Sequence, residues 1–237
     1  MWTEIGKRDS IGPTISLTSV TLPPAVGEGF AELYGADERP ETAAEWVADM
    51  RATVQRVYDR TPTVDDLCTV DGGDHAFVGQ SGTQTYVCVL DPLAYPFLTG
   101  ETGTVRSKTP VRGTEVTFEV DTGGVTLSHD EAIISIGVSD DVEADHDRPI
   151  ETVYQEACGY IQTFEDEAEY EAWAADVDAA TIALPAREGV ALAQQLAGAL
   201  FDGKTSESTA GGEMSESTAG GEASEKAAGG CESSGCC

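Results

Sequence analysis

The chain has 237 residues, with Lys and Arg totalling 13 and Asp and Glu totalling 43, for a formal net charge of −30. Phosphate recognition needs clustered cations, so nucleic-acid binding through a basic surface is excluded, and an anionic membrane surface would repel the chain. A hydrophobic fraction of 40% is too high for a wholly disordered acidic protein.

Lys7, Lys108, Lys204 and Lys226 are the only lysines. A folded, lysine-poor and strongly acidic chain suits a salt-adapted, halophilic surface, where counter-ions screen the self-repulsion. Met1 to Ser10 lack the apolar stretch of a secretory signal. The longest apolar-rich run, Ala132 to Val138, falls far short of the roughly 20 residues a membrane helix needs. The expected location is the cytoplasm. There the six cysteines, Cys68, Cys88, Cys158, Cys231, Cys236 and Cys237, are expected as thiols and not as a disulfide framework.

Residues 11–40 are rich in Pro, Gly and Thr and read as irregular structure or short strands. Thr42 and Glu45 make a capping box, and Trp46, Val47, Met50, Val54, Val57 and Tyr58 recur at helical spacing, predicting one amphipathic helix over about 42–60. Residues 61–80 read as loop. Thr83 to Leu90 is β-rich and ends at Asp91-Pro92, a good N-cap and first-turn pair for a short helix that Pro96 limits.

Thr114 to Val120 alternates, with Val116, Phe118 and Val120 on one face, and Gly123-Gly124 supplies a turn. Ala132 to Val138 reads as a buried strand, 140–147 as an acidic loop, and Ile150 to Phe164 stays ambiguous. Glu165 to Val177 reads as an acidic helix, Ala180 to Leu184 as a short strand, and a last helix starts near Pro185. Strands and helices mix without a βαβ rhythm. The expected class is α+β, a mixed or antiparallel β core with surrounding helices.

The last segment differs in kind. Ser206 to Met214 and Ser215 to Ala223 repeat one nine-residue pattern, a degenerate copy follows from Ser224, and the chain ends Ser233-Ser-Gly-Cys-Cys237. Such acidic Gly/Ser/Glu repeats cannot pack a core and are expected to be disordered. Three regions result: 1–82, an N-terminal region; 83–202, a core; and 203–237, a tail with terminal cysteines.

His75, His129 and His146 are scattered, and no Gly-x-Ser-x-Gly, P-loop or Gly-x-Gly-x-x-Gly occurs, which takes weight from hydrolase and nucleotide chemistry. Cys88-Val-Leu-Asp91 stands at a strand-to-helix junction. A thiol there feels the positive end of the helix dipole, and Asp91 is placed to exchange a proton with it. A buried strand Cys beside an ordinary Asp cap explains the same spacing. Cys68 reads as structural or incidental.

Cys88-Val-Leu-Asp-Pro-Leu-Ala-Tyr-Pro-Phe-Leu-Thr-Gly100 resembles the active-site segment of the organomercurial (alkylmercury) lyases, the MerB type. The similarity continues through Thr104 to Ser107, recurs at Ala157-Cys158-Gly-Tyr-Ile-Gln-Thr-Phe164, and extends into Glu188 to Gln194, covering roughly residues 83–201.

The resemblance implies a catalytic set of Cys88, Asp91 and Cys158, with Thr109 where the family often has a further, non-essential Cys. It implies protonolysis of carbon–mercury bonds in an organomercurial substrate, R–Hg⁺ + H⁺ giving R–H and Hg²⁺, as mercury detoxification. No cofactor is implied. Cys88 and Cys158 would hold mercury in substrate and product, and external thiols would accept it.

The terminal Cys231, Cys236 and Cys237 resemble the metal-passing C-terminal pair of mercuric reductases, which makes Hg²⁺ hand-off their candidate role. Mercuric reductase or small thiols are the implied acceptors. The alternative reading is a non-enzymatic thiol protein that binds Hg²⁺ or another soft metal. A Cys-dependent hydrolase is disfavoured because no histidine stands in a motif with Cys88 or Cys158.

Overall fold

Thr42 caps its helix as the sequence predicts: its hydroxyl accepts from the Glu45 N–H, and the Glu45 carboxylate accepts from the Thr42 N–H at 3.1 Å. The computed structural model, which describes residues 15–121, 124–142 and 155–201, gives this helix as Ala43–Tyr58. It buries Trp46, Val47 and Val54.

A helix also precedes it, Pro24–Tyr34, where irregular structure was expected. We call these α1 (Pro24–Tyr34) and α2 (Ala43–Tyr58). Pro24 opens α1 at a position that needs no N–H, and Gly35 closes it at φ 64. The glycines inside α1 serve packing. A Cβ on Gly27 would stand 2.4 Å from the Pro40 carbonyl oxygen, and one on Gly29 would stand 2.4 Å from a Val138 methyl. The residues that made the segment look irregular let it lie close to its neighbours.

The sheet starts earlier than expected, inside the region read as loop. Strands β1 (His75–Gly79), β2 (Gly82–Tyr86), β3 (Gly103–Lys108), β4 (Glu115–Val120) and β5 (Val125–Leu127) form one sheet in the order β2-β1-β3-β4-β5. A second sheet has β6 (Ile133–Ser139) between β7 (Thr163–Phe164) and β8 (Ala179–Pro185). Every pairing among these strands is antiparallel. The class is α+β, as expected.

Further helices are α3 (Leu90–Thr99), α4 (Glu167–Ala174) and α5 (Ala186–Leu200). Leu93 of α3 and Leu192 of α5 are fully buried, together with Phe77, Val105 and Phe118 of the larger sheet and Ile134 and Ile136 of the smaller. Removing such a side chain costs about 2–5 kcal/mol. The α3 helix runs through Pro96 to Thr99 and ends at Gly100, φ 75, so Pro96 does not stop it. The α4 helix is shorter than its acidic sequence suggested.

Thr109, at the position of the family's extra Cys, is 2% exposed and accepts from the Thr114 N–H at 3.1 Å. Beside it Glu169, 1% exposed, accepts from the N–H groups of Arg112 and Glu165, both at 2.8 Å. Burial alone would raise this carboxyl. The bonds from Glu165, Thr109 and Arg112 outweigh it and hold Glu169 below its usual range.

Candidate active site

Three stretches of chain converge on the predicted thiols. The first two pair with each other: Val70 N–H donates to the Thr85 carbonyl and Val87 N–H to the Cys68 carbonyl, both at 3.0 Å, around the Thr69–Tyr86 bridge. This short ladder sets Cys68 alongside the exit of β2. The chain leaves β2 at Tyr86, bends through Val87, Cys88 and Val89, and enters α3 at Leu90.

The predicted helix start is therefore displaced. Val89 occupies the N-cap and Asp91 lies in the first turn. Val89 makes no side-chain cap bond, so the capping role expected of the aspartate goes unfilled. The Asp91 carboxylate is thereby free for other partners. Its Oδ2 accepts from the Cys68 N–H at 2.8 Å, and the Cys88 thiol lies within electrostatic reach of the carboxyl group.

The third stretch carries Cys158 at the end of a helical turn over 155–158. Ile161 N–H donates back to the Cys158 carbonyl at 3.2 Å, and Val89 N–H donates to the Ile161 carbonyl at 3.2 Å. The turn is held from behind by side chains. Ser135 of β6 donates its hydroxyl to the Tyr160 carbonyl at 2.8 Å and accepts from the Gln162 N–H at 3.0 Å. Gln162 donates through Nε2 to the Gly159 carbonyl at 3.0 Å, so its Oε1 faces His75 Nε2, also at 3.0 Å. His75 must then donate from Nε2 and accept at Nδ1 from the Ser107 hydroxyl, 2.7 Å away. Burial pushes the imidazole down to about 4, with the Gln162 bond opposing, so it is neutral.

Cys158 has both Cys88 and Cys68 as interacting neighbours, and its Sγ is 3.9 Å from that of Cys68. The sequence expected Cys88, Asp91 and Cys158 together, and the structure brings them together. It adds Cys68, which the sequence placed outside the motifs. The contacts that recruit it cross a β-bridge, and no local spacing announces them. His75, Ser107, Ser135 and Gln162 were missed for the same reason. Cys231, Cys236, Cys237 and His146 lie outside the described residues, as do Gly123 and most of the 140–147 loop.

Electrostatics divide the groups. The bond with Cys158 favours thiolate at Cys88, but burial and the Asp91 charge outweigh it, and the thiol is raised. Bonds with Cys68 and Cys88, then burial, push Cys158 well above the ordinary thiol value. Asp91 retains some exposure as a residue, but its carboxyl group is surrounded by protein. Desolvation raises it to about 6 against the pull of the Cys68 and Cys88 bonds. A carboxyl near neutrality, close to a thiol, can take that thiol's proton and return it.

Residues 73–198 match the family model of the alkylmercury lyases, MerB. The match spans more than half of the chain, and the chain belongs to this family. Among solved structures it is similar to the mercury-bound form of MerB2, at 11% identity and TM-score 0.41, over 65% of this chain and 76% of that one. No curated protein matches it. Among the described residues, no helix is long and apolar enough to cross a membrane.

Proposed function

We propose that this alkylmercury lyase cleaves carbon–mercury bonds by protonolysis, with Cys88 and Cys158 as mercury ligands and Asp91 as proton carrier. The observation that supports this is the Asp91 carboxyl, which lies in the first helical turn after Cys88, accepts from the Cys68 N–H at 2.8 Å and is raised to about 6 by burial. A protein that only sequesters mercury needs thiolates but no proton donor aimed at a carbon atom. Its thiols would act without such a carboxyl.

Mercury in R–Hg⁺ is a soft ion, and thiolate is the softest ligand a protein offers. Asp91 carboxylate takes the Cys88 proton, and the Cys88 thiolate displaces the thiol that carried the substrate. The displaced thiolate removes the Cys158 proton, and Cys158 adds to mercury as a second ligand. Added electron density weakens the carbon–mercury bond. The pair of electrons in that bond then takes the Asp91 proton, releasing R–H and leaving Hg²⁺ on Cys88 and Cys158. Asp91 returns as carboxylate. No redox or organic cofactor takes part. The substrate class is a small organomercurial, and the physiological result is detoxification in the cytoplasm. Small thiols, mercuric reductase and the thiols of Cys231, Cys236 and Cys237 are the acceptors of Hg²⁺.

Headspace measurement of methane or benzene from methyl- or phenylmercury, with excess thiol, tests this reading. The unsubstituted chain should release hydrocarbon, and Cys88→Ser and Cys158→Ser should each fall to background. Full release from Cys158→Ser would overturn the two-thiol step.

A further inference from the structure

Cys68 is not explained by the chemistry above. Its backbone supports Asp91, but its thiol has no task there. Three observations bear on that thiol. Its sulfur is 3.9 Å from Cys158. Cys158 also interacts with Cys88, so it neighbours both other thiols. Exposure rises from 2% at Cys88 and 8% at Cys158 to partly exposed at Cys68.

Among the described residues, no group of three or more Cys, His, Asp or Glu side chains could hold a metal ion. Mercury transfer needs no such group, because Hg²⁺ favours two thiolates at a time and moves by exchanging one for another. Such exchange requires the entering sulfur to lie beside the ion while one old ligand stays bound.

We propose that Cys68 is a third mercury-binding thiol, which takes product Hg²⁺ from Cys88 while Cys158 keeps hold of it. The proposal rests on the lyase reading for the origin of that product. In the exchange a Cys68 S–Hg bond forms and the Cys88 S–Hg bond breaks. The Cys68 proton passes to the Cys88 sulfur, so charge and atoms balance and nothing is oxidised. Mercury moves from the most buried sulfur to the least buried. There an external thiol can reach it, and Cys88 is again a thiol close to Asp91, ready for the next substrate.

The test uses the full chain with Cys231→Ser, Cys236→Ser and Cys237→Ser, so that only Cys68, Cys88 and Cys158 remain. It is given one equivalent of phenylmercury, then dithiothreitol. Benzene release reports cleavage, and the appearance of Hg²⁺ on dithiothreitol reports product transfer. Adding Cys68→Ser should leave the burst of benzene in place and slow Hg²⁺ transfer about tenfold or more, the loss expected when an intramolecular acceptor is removed. Equal transfer rates would overturn the proposal. So would a slower burst, because Cys68 would then act in capture and not in release. Absence of any burst in the parent chain would instead remove the lyase reading. A second measurement needs no change at Cys68: one equivalent of HgCl₂ should protect Cys68 from iodoacetamide, and alkylation at the metal-free rate would overturn its assignment as a ligand.

Discussion

Val89 donates its backbone N–H to the carbonyl of Ile161 at 3.2 Å, and this bond joins the segment carrying Cys88 to the turn carrying Cys158. The two cysteines are far apart in sequence, one in the bend before α3 and the other in the turn before β7. Their relative position depends on what holds the 159–162 turn, which is chiefly Ser135 and the His75–Gln162 pair.

Gln162→Ala therefore should act on catalysis without touching a reacting atom. It leaves the buried His75 Nε2–H unpaired and frees the Gly159 carbonyl, a loss of about 1–3 kcal/mol. Hydrocarbon release per enzyme should drop about tenfold, because displacement of a catalytic group by a fraction of its reach is expensive. Titration should still count every thiol. An unchanged rate together with a lowered melting temperature would show that the turn is held well enough by Ser135 alone.

Asp91 and His75 should impose opposite slopes on stability over the same range of pH. The folded-state value of Asp91 is raised from 3.8 to about 6, so its contribution is present below 3.8 and is lost as pH rises through 6. His75 is lowered from 6.5 to about 4, so its contribution is present above 6.5 and is lost as pH falls through 4. Asp91→Asn keeps an acceptor for the Cys68 N–H and removes only the first slope. The variant should bind phenylmercury without cleaving it. On acidification from pH 6.5 to 4 its stability should fall more steeply than that of the unsubstituted chain. Near pH 7 it should be the more stable of the two, by on the order of 2 kcal/mol, since a buried charge has been removed. Parallel pH–stability curves from chemical denaturation would contradict the raised carboxyl.

How much of this could be read in advance depends on range. The capping box at Thr42 and Glu45, the alternation of Val116, Phe118 and Val120, and the start of α3 beside Asp91 are local, and each stands near where the sequence put it. The α1 helix was hidden because Pro24, Gly27 and Gly29 are residues that usually mark irregular chain. Their purpose appears only when Pro40 and Val138 lie against them. The role of Asp91 was half legible. Its neighbourhood with Cys88 follows from spacing, whereas its bond to Cys68 follows from a strand pairing between 67–70 and 85–87 that no short motif encodes.

The surface charge leads to the last prediction. Exposed ion pairs such as Arg39–Glu28, Arg112–Asp166 and Arg187–Asp130 would be weakened by salt, but each is worth only about 0–1 kcal/mol. Against them stands the mutual repulsion of a chain with 43 acidic and 13 basic residues. Raising KCl from about 0.1 M to 1 M shortens the Debye length from ~10 Å to ~3 Å, which removes most of that repulsion. Repulsion is the larger quantity, so salt should stabilise. The melting temperature should rise across that range by at least about 2–4 °C, the shift that 1 kcal/mol produces in a domain of this size. Calorimetry in KCl at fixed pH measures it, and a flat or falling melting temperature would show that the acidic surface is not adapted to salt.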